Sequence, residues 1–266
     1  MYENYSNLKI SRQGKVLTVM INNPPMNSVT PGVHGELSTI FQDINRDKET
    51  AVVVLTGAGE KAFSAGGDLN NMRDRIEKGE HWRWTRTTYE ARYILNGILD
   101  LEKPLICRVN GSASGLGATL AVFADFSFIV EKAKIGDTHV KAGLAAGDGG
   151  ALLWPFLMGF ANARRYLMTG EMMTGRQAAD LGLITEAFPD IAALDAKINA
   201  LTEELCSGAT LAINATKMCI NGVLRKIMQD LIPEHLALET TTYLSKDHYE
   251  AVMAALEKRK PDFKGA

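Results

Sequence analysis

The chain has 266 residues, a formal net charge of −2 and a hydrophobic content of 46%, which is typical of a globular protein with a sizeable core. This balanced charge, with no basic run before the last dozen residues, argues against nucleic acid as a main partner. No apolar run is long enough to span a membrane, and the N-terminus lacks the features of a signal peptide. We therefore expect a cytoplasmic protein with no membrane partner.

In chain order, the first two thirds alternate strand and helix signals. Thr30 and Pro31 form an N-cap and N1 pair for a helix that reaches about Arg46. Strands are predicted at 8–11, 16–21, 51–55, 104–109, 126–130 and 134–137, and further helices at about 68–78, 81–101 and 118–124. The spacing between strands leaves room for crossovers, so this part predicts a mostly parallel α/β sheet.

The last third of the chain is almost free of strand signals. Helices are predicted at 151–158, 161–168, 175–181, 191–207, 209–228 and 232–258, with breaks at Gly170, Pro189, Gly208 and Pro233. We predict a core at 1–200 and a helical C-terminal region at 201–266 that packs on the core or on a neighbouring subunit. The three cysteines have no metal-ligand spacing, and no metal site is predicted.

Two glycine-containing turns between a strand and a helix are the candidate ligand sites. One is Ala65-Gly66-Gly67-Asp68, and the other is the loop at 110–117. A turn of this kind leaves backbone N–H groups unpaired at the positive end of a helix, where a phosphate or the oxyanion of an acyl group can bind. Neither loop fits the dinucleotide fingerprint or the Walker A motif.

Together, the runs at 57–69 and 103–111 resemble the crotonase (enoyl-CoA hydratase/isomerase) superfamily. Further matches lie at 14–19, Asn27, 146–150, 163–170, 178–184 and 255–265. The resemblance implies a crotonase-type spiral of ββα units with a C-terminal helical region used in trimerisation, as a homotrimer or a dimer of trimers. It also implies an acyl-CoA ligand, with coenzyme A as part of the substrate and no separate cofactor.

By this resemblance, the backbone N–H groups of Gly67 and Leu116 form an oxyanion hole for the thioester oxygen. Losing one such donor typically costs roughly 3–4 kcal/mol of transition-state stabilisation. The superfamily usually has glycine where Leu116 stands, so the donor is kept and the leucine side chain would narrow the loop. The residues matched to CoA or substrate binding are Pro25, Met26, Lys61, Ala62, Phe63, Ala65, Asp68 and Trp84. Asp68 is also expected to cap a helix. Trp84 is expected either to line the acyl pocket or to belong to the core.

The sequence departs from the superfamily where hydratases carry two catalytic glutamates. Thr119 and His139 occupy these two places. A threonine hydroxyl cannot act as a base near neutral pH, so Thr119 either positions a water or fills space in its helix. His139 has an unperturbed pKa suited to a base, and its position favours a catalytic role over a structural one.

Asp148 is the third candidate, nine residues after His139 and near a predicted helix start. It caps that helix, lines the pocket beside His139, or does both. A histidine with an aspartate also resembles the β-diketone hydrolase branch of the superfamily, in which a histidine activates a water. The Ala65–Asp68 loop instead is typical of the members that act on CoA esters.

These observations leave three hypotheses. The leading one is an enoyl-CoA hydratase-like lyase or isomerase in which His139, with Asp148, handles the proton or water, without efficient hydration of simple short enoyl-CoAs. The second is a C–C bond hydrolase that cleaves a β-dicarbonyl substrate with a water activated by His139. The third is a non-catalytic acyl-CoA binding protein, which the absence of both glutamates allows.

Overall fold

The computed structural model describes residues 1–266. The chain opens with an antiparallel hairpin of β1 (Leu8–Gln13) and β2 (Val16–Ile21), with Leu8 opposite Ile21. Helix α1 (Pro31–Arg46) follows, and the hydroxyl oxygen of Thr30 accepts a 3.3 Å hydrogen bond from the Val33 N–H. The predicted start of this helix is confirmed.

The remaining elements alternate through the chain. The strands are β3 (Val52–Gly57), β4 (Ala62–Ser64), β5 (Leu105–Val109), β6 (Ser112–Ser114), β7 (Phe126–Val130), β8 (Lys134–Gly136), β9 (Met173–Thr174) and β10 (Glu186–Phe188). The helices are α2 (Leu69–Glu77), α3 (Trp82–Asp100), α4 (Leu116–Phe123), α5 (Gly150–Thr169), α6 (Gly175–Asp180), α7 (Ile191–Ser207), α8 (Thr210–Tyr243) and α9 (Lys246–Glu257), with one 3-10 turn at His139–Ala142.

The strands form two sheets that the chain visits in turn. The larger has the order β1-β2-β3-β5-β7-β10 and is parallel beyond the first hairpin, and the smaller has the order β4-β6-β8-β9. The pairs β3/β4, β5/β6 and β7/β8 each place one strand in either sheet, so the chain winds as a spiral of ββα units. The predicted α/β fold is confirmed.

The core lies between the larger sheet and the helices that pack against it. The all-apolar β3 is buried along its whole length, as expected for a parallel strand covered on both faces. On α1, Leu37, Ile40, Phe41 and Ile44 are buried on the face that the sequence indicates. Met228, Ile232 and Leu236 of α8 belong to the same hydrophobic core as these residues. The C-terminal helices therefore contribute to the core.

Several predicted boundaries differ from the structure. Strand β6 lies within the predicted loop at 110–117, and β4 lies where no element is predicted, because three residues are too few to show a periodic pattern. Strands β9 and β10 were missed for the same reason. The predicted helix break at Pro233 is wrong: α8 continues through it, and buried Ile232 and Leu236 on either side hold both halves against the core.

The helices at the C-terminal end form the predicted helical region. Helix α8 alone has 34 residues. None of the helices combines the length and the apolar character needed to cross a membrane.

Candidate active site

The first candidate loop links β4 to α2. Gly66 has a φ of 77°, which favours glycine, and its carbonyl accepts a 2.8 Å hydrogen bond from the Val29 N–H. Asp68 caps α2 by accepting a 2.8 Å hydrogen bond from the Asn71 N–H, as predicted. Between them, the Gly67 N–H donates to no other group of the chain. It is a free donor beside the start of a helix.

The second loop meets the first one. Gly115 has a φ of 52° and precedes Leu116, the first residue of α4, where the N–H has no acceptor within the helix. A Cβ on Gly66 would lie 2.7 Å from the Ser114 carbonyl oxygen. The two loops are therefore packed backbone to backbone, and a side chain at Gly66 would push them apart.

Gly67 and Leu116 both line a cleft with a volume of about 90 Å³, which we call the inner cleft. A wider outer cleft, of about 390 Å³, adjoins it and shares Gly67, Asp68, Met72, His139 and Leu144 with it. His139 thus lies at the junction of the two clefts. The other polar side chains of the inner cleft are Thr30, His34, Asn71, Arg75, Thr87, Glu90, Asp148, Glu239 and Tyr243.

His139 is held between two carboxylates. Its Nδ1 lies 2.7 Å from Asp137 Oδ1, and the same oxygen accepts a 3.1 Å hydrogen bond from the His139 backbone N–H. Its Nε2 faces Asp148 Oδ2 at 3.5 Å. Because Asp137 occupies Nδ1, the orientation of the ring is fixed and Nε2 is directed at the cleft.

The charges in this group are strongly interdependent. Burial by itself would lower the pKa of His139, but the carboxylates of Asp148 and Asp137 outweigh it and hold that pKa well above 6.5. Burial would raise the pKa of Asp148, and the charge of His139 outweighs that effect, so this pKa lies below 3.8. At neutral pH the pair is therefore an imidazolium beside a carboxylate.

The surroundings of Asp148 decide between the two sequence interpretations of this residue. Helix α5 is capped by Gly149 and no side chain bonds to its first turn. Asp148 therefore does not cap the helix, and its Oδ1 is buried without a hydrogen-bond partner. Thr119 is fully buried, its hydroxyl has no hydrogen-bond partner, and it does not line the inner cleft.

Glu239 on α8 is a cleft residue that the sequence reasoning missed. It is 3% exposed, and its Oε2 has no hydrogen-bond partner. Burial, together with the charge of Asp148, raises its pKa well above 4.5, which favours the protonated, neutral form of the carboxyl group. One face of this helix is marked by the 4-3-4 spacing of Ile232, Leu236, Glu239 and Tyr243. A glutamate on this otherwise apolar face was the sequence signal that could have identified Glu239 as a site residue.

Glu239→Gln tests the protonation of this carboxyl through stability. The folded state keeps the proton while the unfolded chain releases it above about pH 4.5, so the wild type loses stability as pH rises towards the folded pKa, by up to about 1.4 kcal/mol per pH unit. Glutamine does not titrate. We expect the melting temperature of the variant, minus that of the wild type, to increase from pH 5 to pH 8 in thermal unfolding. A difference that stays constant with pH would contradict this assignment.

The other predicted site residues divide into two groups. Trp84 lines the inner cleft and stacks on Tyr243 at 4.0 Å, while Ala65 lines the outer cleft. Neither cleft is lined by Pro25, Met26, Lys61, Ala62 or Phe63. Ala62 and Phe63 belong to β4 and are fully buried, and Met26 supports the first loop by accepting a 2.9 Å bond from the Ala65 N–H.

Asp137, His139 and Asp148 also offer ligand atoms that lie within 4.8 Å of one another, a spacing that could hold a metal ion. The hydrogen bond between His139 Nδ1 and Asp137, however, already joins two of the three. The arrangement thus suits proton transfer, in which one carboxylate orients the ring and the other shares its second nitrogen.

Comparison with known proteins gives consistent results along the whole chain. The family model described as "Enoyl-CoA hydratase/isomerase" matches residues 11–266. The chain is 30% identical to the 2,3-dehydroadipyl-CoA hydratase of Escherichia coli K12, over 98% of this chain and 99% of that one. It is 29% identical to the short-chain-enoyl-CoA hydratase of Clostridium acetobutylicum, over 96% of each. The crystal structure of an enoyl-CoA hydratase/isomerase from Mycobacterium paratuberculosis matches with a TM-score of 0.88 and 29% identity, covering 95% of this chain and 99% of that one.

Proposed function

This chain belongs to the enoyl-CoA hydratase/isomerase family, and from that premise we propose that it is an enzyme that moves protons at the acyl group of an acyl-CoA thioester. One observation carries the proposal. The His139–Asp148 pair lies in the same cleft as the free backbone donors of Gly67 and Leu116. The curated relatives are named for different acyl groups, so the family supports thioester chemistry and leaves the acyl group open.

In the proposed mechanism, the thioester oxygen accepts hydrogen bonds from the Gly67 and Leu116 N–H groups. When a proton leaves the carbon next to the carbonyl, the negative charge moves to this oxygen. Two fixed donors then stabilise the enolate more than the starting thioester, which lowers the barrier. Backbone donors at helix starts suit this task because they need no reorganisation during the reaction.

The proton is handled by the pair that replaces the two glutamates of hydratases. Asp148 is ionised and its Oδ1 has no partner, so it can accept a proton from the substrate. His139 is protonated and can return a proton at a neighbouring carbon or oxygen through Nε2. Two adjacent groups whose pKa values are pushed apart supply a base and an acid at the same pH.

A substrate panel tests this proposal. Purified protein is incubated with saturated and unsaturated acyl-CoA thioesters of increasing chain length, and the products are followed by mass spectrometry. We expect turnover of a thioester by double-bond migration or hydration, with weak hydration of crotonyl-CoA because neither glutamate is present. Efficient hydration of crotonyl-CoA would contradict the assigned roles of Thr119 and His139. Binding without turnover of any thioester would favour a non-catalytic acyl-CoA binding protein.

A second candidate function is C–C bond hydrolysis of a β-dicarbonyl substrate, and Glu239 is the observation that favours it. A water beside His139 Nε2 would give a proton to the ionised Asp148 as it attacks one carbonyl, and Glu239, whose pKa is raised, could protonate the carbon that leaves. Thermal shift and turnover assays with CoA-free β-diketones separate the candidates. If β-diketones stabilise the protein and are cleaved by it, while CoA esters do neither, the hydrolase is the correct function.

We also propose that coenzyme A enters only as part of the substrate, and that the chain assembles as a homotrimer or a dimer of trimers. Large apolar side chains are exposed on the monomer, including Phe156, Phe160 and Met168 of α5 and Leu211, Ile220, Val223 and Leu238 of α8. Surfaces of this kind mark interfaces between proteins. Sedimentation at micromolar concentration would find a multiple of three chains if this proposal holds.

A further inference from the structure

Arg75 is a cation in the inner cleft that has no anionic partner. It lies on α2, and its Nη1 donates a 3.1 Å hydrogen bond to Thr87 Oγ1. It takes part in no salt bridge, and its Nε is buried without a hydrogen-bond partner. A guanidinium group is always charged, and burying its donors without acceptors is unfavourable. The Nε–H of Arg75 is therefore a buried donor that an oxygen atom of a ligand could satisfy.

Tyr243 presents a second unused donor in the same cleft. It is 2% exposed, stacks on Trp84 at 4.0 Å and has a hydroxyl group without a hydrogen-bond partner. Arg75 and Tyr243 both line the inner cleft. Burial raises the pKa of the Tyr243 hydroxyl, and the charge of Arg75 opposes the rise. The hydroxyl therefore keeps its proton and can donate it in a hydrogen bond.

The acids around this end of the cleft do not serve as partners of Arg75. Asp68 caps α2 and also accepts a hydrogen bond from the Ser28 hydroxyl. Glu90, on α3, already pairs with His34 at 2.8 Å and with Arg86 at 2.6 Å. Asp148 faces His139 at 3.5 Å, and burial raises the pKa of Glu239, which disfavours its charged form. The positive charge of Arg75 is thus left for a ligand.

We propose that Arg75, Thr87 and Tyr243 form a distal subsite that binds a carboxylate at the far end of the acyl chain, so that the substrates are ω-carboxyacyl-CoA thioesters. The planar donors of arginine match the two oxygens of a carboxylate. Arg75 follows the Asp68 cap by seven residues, which places it roughly 10 Å along α2 from the loop of Gly67. This proposal rests on the proposed function, because it assumes that the thioester oxygen lies at Gly67.

Matched pairs of thioesters test the subsite. For each chain length, a saturated acyl-CoA and its ω-carboxy counterpart are compared for Kd by calorimetry, and the corresponding enoyl-CoAs are compared for kcat/KM. We expect the wild type to favour the carboxylated member by about 10- to 100-fold at the matching length, as for hydrogen bonds to charged groups. Arg75→Gln should abolish this preference, Arg75→Lys should keep part of it, and Tyr243→Phe should reduce it by a smaller factor.

Arg73→Gln is the control on the same helix, because Arg73 pairs with Asp74 at 2.7 Å and does not line the inner cleft. It should leave the preference unchanged, and thermal unfolding verifies that all variants are folded. The subsite would be overturned if the wild type bound the saturated acyl-CoA and its ω-carboxy counterpart equally well. It would also be overturned if Arg75→Gln weakened the binding of both compounds by the same factor. Either result would count even if the thioesters are turned over. A preference that depends on Arg75 without any turnover would support the subsite and contradict the thioester chemistry.

Discussion

Replacing His139 by alanine is expected to lower kcat for the acyl-CoA substrate by about 10²- to 10⁴-fold, the usual contribution of a positioned acid or base. His139 lies at the junction of the two clefts and directs Nε2 at Asp148. Removing the ring leaves Asp148 without the cation that keeps it ionised. The substrate KM should change little, because the Gly67 and Leu116 donors remain. Steady-state kinetics on the folded variant check this result.

The pH profile separates this loss from a structural effect. In the wild type, kcat should fall as pH rises through the raised pKa of His139, because the acid loses its proton. The acid-side limb should lie at low pH, because the pKa of Asp148 is below 3.8. The alkaline limb should vanish in His139→Ala, and added imidazole should restore part of the rate. An active His139→Gln variant with the wild-type profile would contradict the role of this ring.

Asp137→Asn is expected to lower kcat by about 10²-fold or more although the residue does not line either cleft. Asp137 accepts from both the ring and the backbone of His139. In a comparable triad, neutralising the carboxylate that orients the histidine lowers kcat by as much as about 10⁴-fold, because the wrong tautomer forms. The alkaline limb of the pH profile should also shift to lower pH, since one of the two carboxylates that raise the pKa of His139 is lost.

Asp195→Asn is the matched control for this substitution. Asp195 is also an aspartate in an ion pair, with Arg108 at 2.5 Å, and lies outside both clefts. It should leave kcat and the pH profile unchanged. A normal alkaline limb in Asp137→Asn, with only a loss of thermal stability, would assign Asp137 a purely structural role.

The backbone of the site could be predicted from the sequence because it depends on local chemistry. Glycines at strand-to-helix turns and the Asp68 cap are short-range signals. The resemblance, and not a short-range signal, implies that the two loops meet, and in the structure they are packed together. His139 and Asp148 were found by their positions in a resemblance. Their close approach, 3.5 Å between Nε2 and Oδ2, agrees with the expected pocket, and their catalytic roles stay predictions.

Arg75, Glu239 and Tyr243 could not be assigned to the site in the same way. Each lies on a helix whose sequence does not say what it packs against. Glu239 enters the cleft because α8 continues through Pro233 and carries its apolar face onto the core. Arg75 sits in a short polar helix with no buried residue, where a charged side chain is ordinarily expected to face solvent. Tertiary packing, which short-range patterns do not encode, decides both cases.

Deuterium exchange tests the central claim most directly, that Gly67 and Leu116 hold a thioester oxygen while His139 and Asp148 move a proton beside it. A saturated acyl-CoA that binds the protein is incubated in D₂O, and deuterium at the carbon next to the carbonyl is followed by NMR. This exchange requires enolate formation, exchange of the abstracted proton with the solvent and return of a deuteron to the same carbon, and it requires no further conversion of the acyl group. The account predicts exchange with the wild type and its loss in His139→Ala and Asp148→Asn. A bound thioester that does not exchange, or exchange that persists in both variants, would contradict it.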